Sequence, residues 1–129
     1  MENSHIYDYI NVLDKAADAA WLRNDAISNN IANATTPNYK RQDVSFEEEL
    51  QRQLGRSVFE SMDEKVYGLK TGNIVPEVYT DCADFSYRLD GNNVDIDTEN
   101  VYLAENQIKY NALLDSITKD FSNLQSVMK

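Results

Sequence analysis

Apolar residues in the first third of the chain recur in alternating steps of four and three: Ile6, Ile10, Leu13, Ala17 and Ala20, then polar Asn24, then Ile27, Ile31 and Ala34. That spacing is a heptad seam, the stripe that one helix lays against another. No Pro or Gly interrupts it before Thr36-Pro37, where the missing amide hydrogen and the restricted preceding residue stop a helix. The pattern predicts a helix over residues 4 to about 33. Asn24 either sets register against a partner or rotates outward, because a straight helix drifts roughly 20° per heptad.

The last third repeats the theme. Asp97 is the expected cap, Glu99 suits the positive end of a helix, and neither Gly nor Pro follows before Lys129. The apolar stripe runs Val101, Ala104, Ile108, and after a phase slip resumes as Tyr110, Leu114, Ile117, Phe121, Leu124 and Met128. A slip of this kind resembles a coiled-coil stutter.

Residues 37–96 hold all four glycines and no sustained period. Ser45 and Glu48 have capping-box spacing, and Phe46, Leu50 and Leu54 share one helical face, which predicts a short helix from Phe46 to about Leu54. The segments 39–46, 75–79 and 85–89 read as extended or strand-like, and Asp90-Gly91-Asn92-Asn93 reads as a turn into the last helix. The expected organisation is an N-terminal helix (1–36), an irregular middle (37–96) and a C-terminal helix (97–129). The fold class is mainly α, with the terminal helices packed as an antiparallel coiled-coil hairpin. Ala17, Ala20 and Ala34 make the first seam thin, so helices from neighbouring subunits are expected to supply further burial.

Charge narrows the partners. With 12 Lys plus Arg against 22 Asp plus Glu, a net charge of -10 repels phosphate backbones and anionic headgroups, so neither nucleic acid nor a membrane surface is expected as partner. No stretch is apolar enough for direct membrane insertion, and Met1 to Asp14 is acidic and lacks the apolar core of a cleaved signal peptide. Composition alone therefore points to the cytosol, unless the chain is exported by a route that cleaves nothing.

Candidate chemistry is sparse. His5 is the single histidine and Cys82 the single cysteine, which cannot assemble a zinc site or an internal disulfide. Asp90, Asn92, Asp95 and Asp97 alternate like calcium ligands, but Val94 stands in the third ligand slot, glycine is missing from the sixth position, and Val101 stands where glutamate should close the loop. Gly68 and Gly72 lead to Asn73 and Ile74, not to the residues of a phosphate cradle. The eight tyrosines are scattered and read as packing residues. No catalytic, cofactor-binding or metal site is expected, and the chain is not expected to be an enzyme.

One stretch carries a specific resemblance. Ile27 through Lys40, with Asn29, Asn30, Ile31, Ala32, Asn33, Thr36, Pro37 and Tyr39 at its centre, resembles the N-terminal signature of flagellar rod, hook and hook-associated subunits. Asn38 stands where that family usually has glycine, and asparagine tolerates the left-handed backbone such a turn needs. The flanks Arg41 to Phe46, Arg88 to Glu99 and Ala104 to Leu113 are similar to the proximal-rod members, whereas residues 51–87 carry no resemblance. The resemblance implies a structural subunit of the basal body in the cell envelope, joining the MS ring and export gate to the rest of the rod. It implies self-association and contacts with other rod proteins, a FliE-type adaptor, the MS ring and the flagellar type III export apparatus, and it implies export without cleavage. Phe46 and Leu50 fit the family's loose export-gate pattern, as do Phe85 and Leu89. Periodicity alone also fits a non-polymerising coiled-coil adaptor or chaperone, and the Asn30 to Pro37 signature favours the rod.

Overall fold

The computed structural model describes residues 7–56, 61–69, 71–81 and 88–129. Two helices dominate: α1 (Asp8–Ala32) and α4 (Ile96–Val127) pack against each other. Between them lie β1 (Gln42–Ser45), α2 (Glu47–Gly55), α3 (Met62–Tyr67), a 3-10 turn (Thr71–Asn73) and β2 (Glu77–Thr80). β1 and β2 form an antiparallel pair with Val44 opposite Val78. The α-hairpin expected from the heptads is therefore present, and its middle segment folds back along α1 instead of standing apart. Ile6, His5, Cys82 and the segment 82–87 lie outside the described residues.

Helix α1 buries two rows rather than one. The expected row holds Ile10, Ala17, Ala20 and Ile27 buried, with Leu13, Asn24 and Ile31 half-buried. A second row, Ala16, Ala19, Arg23, Ala26 and Asn30, also alternates steps of three and four, and it meets the middle segment. There Ala19 packs with Phe46 and Ile74, supported by Ala16, Leu50 and Leu69. Small alanines let the middle segment approach closely, and the two polar residues of the row find partners there.

On α4 Tyr110, Ile117 and Leu124 of the expected stripe are half-buried, and the rest of that stripe gives way to a different row. The covered row is Glu99, Leu103, Asn106, Tyr110, Leu113, Ile117, Asp120 and Leu124, an unbroken alternation of four and three that needs no phase slip. Val101 and Ile108 are 63% and 72% exposed, Ala104 is exposed, and Leu114, Phe121 and Met128 are only partly covered or open. The reason is chemical: Glu99 and Asn106 look like surface residues in sequence, but α1 and β1 supply the partners that allow their burial.

Caps also moved. Asp95, not Asp97, starts α4: its carboxylate accepts from the backbone N–H groups of Asp97 at 3.0 Å and Thr98 at 3.5 Å. Helix α2 falls where expected but starts from Phe46 with no side-chain cap, because Ser45 ends β1 and turns its hydroxyl to the Glu77 carbonyl at 3.5 Å. Helix α3 was not anticipated; Ser61 caps it by accepting from the Glu64 N–H at 3.2 Å.

Candidate functional site

The signature residues build a buried polar hub where α1 ends and α4 begins. Asn30 is fully buried on the last turn of α1, and all four of its hydrogen-bonding positions are filled. Its Nδ2 donates to the Gln42 carbonyl at 2.8 Å and to Glu99 Oε2 at 3.2 Å. Its Oδ1 accepts from the Gln42 N–H at 2.8 Å and from the Tyr39 hydroxyl at 3.1 Å. A helix side chain thus takes the place of a strand neighbour for β1.

Glu99, 1% exposed, is the hub's buried charge, and Arg41 Nε donates to its Oε1 at 2.7 Å. Arg41 also reaches Asp43 and Asp81, each at 3.4 Å, and its guanidinium carbon lies 5.6 Å from the centre of the Tyr102 ring. Burial works most strongly on Arg41, against its charge, yet the bond to Glu99, the Glu99 charge, and the contributions of Asp43 and Asp81 together outweigh it and hold the arginine even more firmly protonated than usual. Burial and the Glu99 charge together push the Tyr39 phenol up.

The turn after α1 is closed by the segment that leads into α4. Asn33 stays near the helix end, its N–H bonding to the Asn29 carbonyl at 3.1 Å. Buried Asn92 donates to the carbonyls of Asn33 at 2.8 Å and Thr36 at 2.9 Å, and Arg88 bonds the Ala34 carbonyl. These carbonyls belong to the cap residue of α1 and to the turn just beyond it, past the end of the helical ladder. Asn38 has φ 61° and Gly91 φ 76°, and the Asn38 N–H donates to the Asp90 carbonyl at 2.7 Å. Asparagine therefore does adopt the left-handed backbone that glycine would otherwise supply. Of the residues weighed as calcium ligands, Asp90 accepts from the Asn92 N–H at 3.1 Å and pairs with Arg88 at 2.9 Å, while Asp95 caps α4.

A second cluster ties α1 to the middle. Arg23 makes a two-pronged contact with Glu47, at 2.9 and 2.8 Å, donates to the Val44 carbonyl at 2.8 Å and meets Asp43 at 3.3 Å. Lys109 of α4 reaches the same Glu47, and the Arg23 bond holds that carboxyl down at about 2. Farther up the hairpin, Asn106 Nδ2 donates to the Ala20 carbonyl at 2.7 Å, which fixes the register of α4 on α1.

Sequence patterning thus separates into two sets. Asn30, Asn33, Thr36 and Tyr39 converge with Asn92 and Glu99, whereas Phe46 and Leu50 belong to the core beside Ala19. Arg23, Arg41, Glu99 and Asn106 were missed as packing residues. The usable signal for Arg23 was the second heptad row on α1, in which it stands between alanines.

The hairpin and its signature turn define a flagellar basal-body rod protein: the family described as "Flagella basal body rod protein" matches residues 10–40, the part of the chain that runs through α1 into the turn. Similar chains include the flagellar basal body rod proteins FlgB of Bacillus subtilis (strain 168), 35% identical over 116 residues, covering 90% of this chain and 89% of that one, and of Borreliella burgdorferi, 35% identical over 121 residues, covering 87% and 89%. FlgB of Escherichia coli (strain K12) is 29% identical over 114 residues, covering 83% of each chain. The chain belongs to the FlgB family of flagellar basal body rod proteins. It is a structural subunit of the basal-body rod, and it associates with other rod components.

Proposed function

We propose that this subunit forms the proximal rod, between the MS ring with its export gate and the rest of the rod. The observation that carries the reading is the apolar row that α1 leaves uncovered on α4, Val101, Ala104 and Ile108, with Leu114, Phe121 and Met128 partly covered or open beside it. Exposed rows of this size are covered in a stable assembly. Contacts between unlike faces of successive subunits generate a helical tube, where a two-fold contact would close a dimer. The neighbours in this reading are further copies of the chain, other rod subunits, a FliE-type adaptor and the MS ring. The signature Asn29 to Tyr39 then has a preparatory role, since it fixes the angle at which the two axial helices present themselves.

The same reading has the chain leave through the flagellar type III apparatus without cleavage and take its place in the periplasmic rod. Phe46 and Leu50 are the candidate export-gate contact. Phe46 is 3% exposed in the folded chain, so a gate could read it only before folding. Secretion of a Phe46→Ala variant at the wild-type rate, with normal folding, removes that role. Ordering each residue costs about 1–2 kcal/mol of backbone entropy, which an alanine-thin seam offsets poorly, so the ends of the two helices away from the polar hub order as neighbours arrive.

Circular dichroism of the purified full-length chain, before and after addition of rod and adaptor proteins, tests the assembly reading when combined with sedimentation. A partly helical chain that gains further helix in large particles is the expected result. A chain whose helix content does not change and that binds one partner stoichiometrically without growing is the behaviour of an adaptor and contradicts it.

A further inference from the structure

The two strands differ in how their outer edges are closed. On β1 the peptide groups of Gln42 turn to Asn30 of α1, the Val44 carbonyl accepts from Arg23 and the Val44 N–H donates to Asp43 Oδ1 at 2.7 Å. Side chains thus seal that edge. Gln42 stands opposite Thr80 and Val44 opposite Val78, and the Asp81 N–H donates inward to the Arg41 carbonyl at 2.8 Å. The alternation of an antiparallel ladder therefore turns the N–H and C=O groups of Val78 and Thr80 outward, away from β1. Among the described residues no hydrogen bond reaches those outward groups. All four residues of β2 are exposed. Glu77, Tyr79 and Asp81 share one face of the strand, and Glu77 takes part in none of the ion pairs among the described residues.

We infer that the outer edge of β2 takes an extended segment of a different basal-body chain, one that sets lysine or arginine beside Glu77 and Asp81. The inference rests on the rod reading above and names the chemistry of one of its contacts. A helix pairs its backbone groups internally, so only extended backbone completes Val78 and Thr80. A second copy offers no such strand. Its β1 is sealed on one edge and paired on the other. Two β2 edges meeting each other use one patch twice, which closes a pair where a rod must grow. The antiparallel register that joins Val78 to Thr80 also sets Glu77 against Asp81 at both ends, and like charges directly opposite destabilise a sheet. Other described stretches between the helices are engaged within the chain: Tyr39 and Arg41 in the hub, Leu69 and Ile74 in the core beside Ala19, and Asn92 at the end of α1. The stretches 1–6, 57–60 and 82–87 hold no lysine or arginine, and each would bring an acid to this edge, Glu2, Glu60 or Asp84. A basic side chain on a foreign strand instead meets Glu77 directly across the new pair.

The test places the photo-cross-linker p-benzoylphenylalanine at position 78 of the full-length chain in flagellated cells, followed by basal-body purification and peptide mass spectrometry. The expected adduct lies in a different basal-body chain, at an extended stretch with lysine or arginine next to the cross-linked residue. Thr80→Pro removes an outward N–H without touching the pairing to β1, so the purified variant should melt within about 3 °C of the parent. In cells it should lower the adduct yield roughly tenfold, the effect of about one backbone hydrogen bond. Glu77→Lys, a change at an exposed side chain, should lower it about threefold, as reversal of one screened charge pair would. If Thr80→Pro melts lower than that, Glu77→Lys carries the test alone. An adduct at the mass of two copies of this chain, an adduct to a helix or to a stretch without a cation, an unchanged yield in the variants, or no adduct from position 78 overturns the inference and leaves the rod reading standing. Absence of the unsubstituted chain from purified basal bodies overturns both.

Discussion

The side chain of Asn30 pairs with the peptide of Gln42 from both sides, donating to its carbonyl and accepting from its N–H, each at 2.8 Å. One asparagine on α1 thereby fixes where β1 runs, and through Glu99 where α4 begins. Asn30→Ala leaves a buried strand peptide and a buried carboxylate short of partners, and should cost about 3 kcal/mol in urea denaturation. A loss under about 0.5 kcal/mol, the range of an ordinary surface change, would show that the hub does not hold the hairpin together.

Glu99 and Arg41 form the hub's buried ion pair, 2.7 Å apart. Glu99→Leu strands the arginine beside two weaker partners and should destabilise by about 2–3 kcal/mol, somewhat less than loss of a fully isolated pair. Adding Arg41→Met should recover part of that loss, because the double variant buries no unpaired charge. A double-mutant cycle measures this, and strictly additive losses would contradict the pairing.

The two left-handed residues stand against each other. A Cβ on Gly91 would lie 2.7 Å from Asn38 Oδ1, and its φ of 76° is strained for any L side chain. Gly91→Ala should therefore lower stability by about 1–2 kcal/mol, whereas Asn38→Gly should be close to neutral, since glycine adopts the same conformation freely. Thermal melts of the two variants check the contrast, and equal melting temperatures would speak against it.

Glu47 gives the fold an acid-sensitive contact. Its carboxyl sits at about 2 in the folded chain against 4.5 ordinarily, chiefly through the Arg23 bond. A lowered folded value means that folding favours the ionised form, so the contribution is full above pH 4.5 and fades as pH falls toward 2. Glu47 is half-exposed, and solvent screening limits the effect to under about 1 kcal/mol. Glu47→Gln should flatten the stability profile in that window. Stability measured from pH 6 to pH 2 in both proteins decides, and parallel curves would refute the assignment.

The long elements were legible because Ile10, Ala17, Ala20 and Ile27 recur with a period only a helix satisfies. The face of α4 was not, because its true row begins with Glu99 and passes through Asn106, residues whose burial depends on Arg41, Asn30 and Ala20 far away in sequence. A pattern of apolar letters follows Val101 and Ile108 instead and then needs a phase slip to reach Ile117. The signature Asn30 to Tyr39 could be recognised, but not the geometry it serves, since Asn92 and Glu99 complete it from the other end of the chain. Local cap signals failed where a residue's backbone was already engaged elsewhere, as that of Ser45 is in the β1–β2 pair.

The account turns on Val101 and Ile108, 63% and 72% exposed on α4, being an assembly surface. The most direct measurement is basal-body incorporation of a Val101→Asp, Ile108→Asp double variant in a flagellated host lacking its own copy, paired with the melting curve of the purified chain. The account predicts a stability within about 0.5 kcal/mol of the parent, as for exposed sites, and a variant absent from the rod in cells that do not swim. Normal incorporation and swimming with both aspartates in place would contradict it.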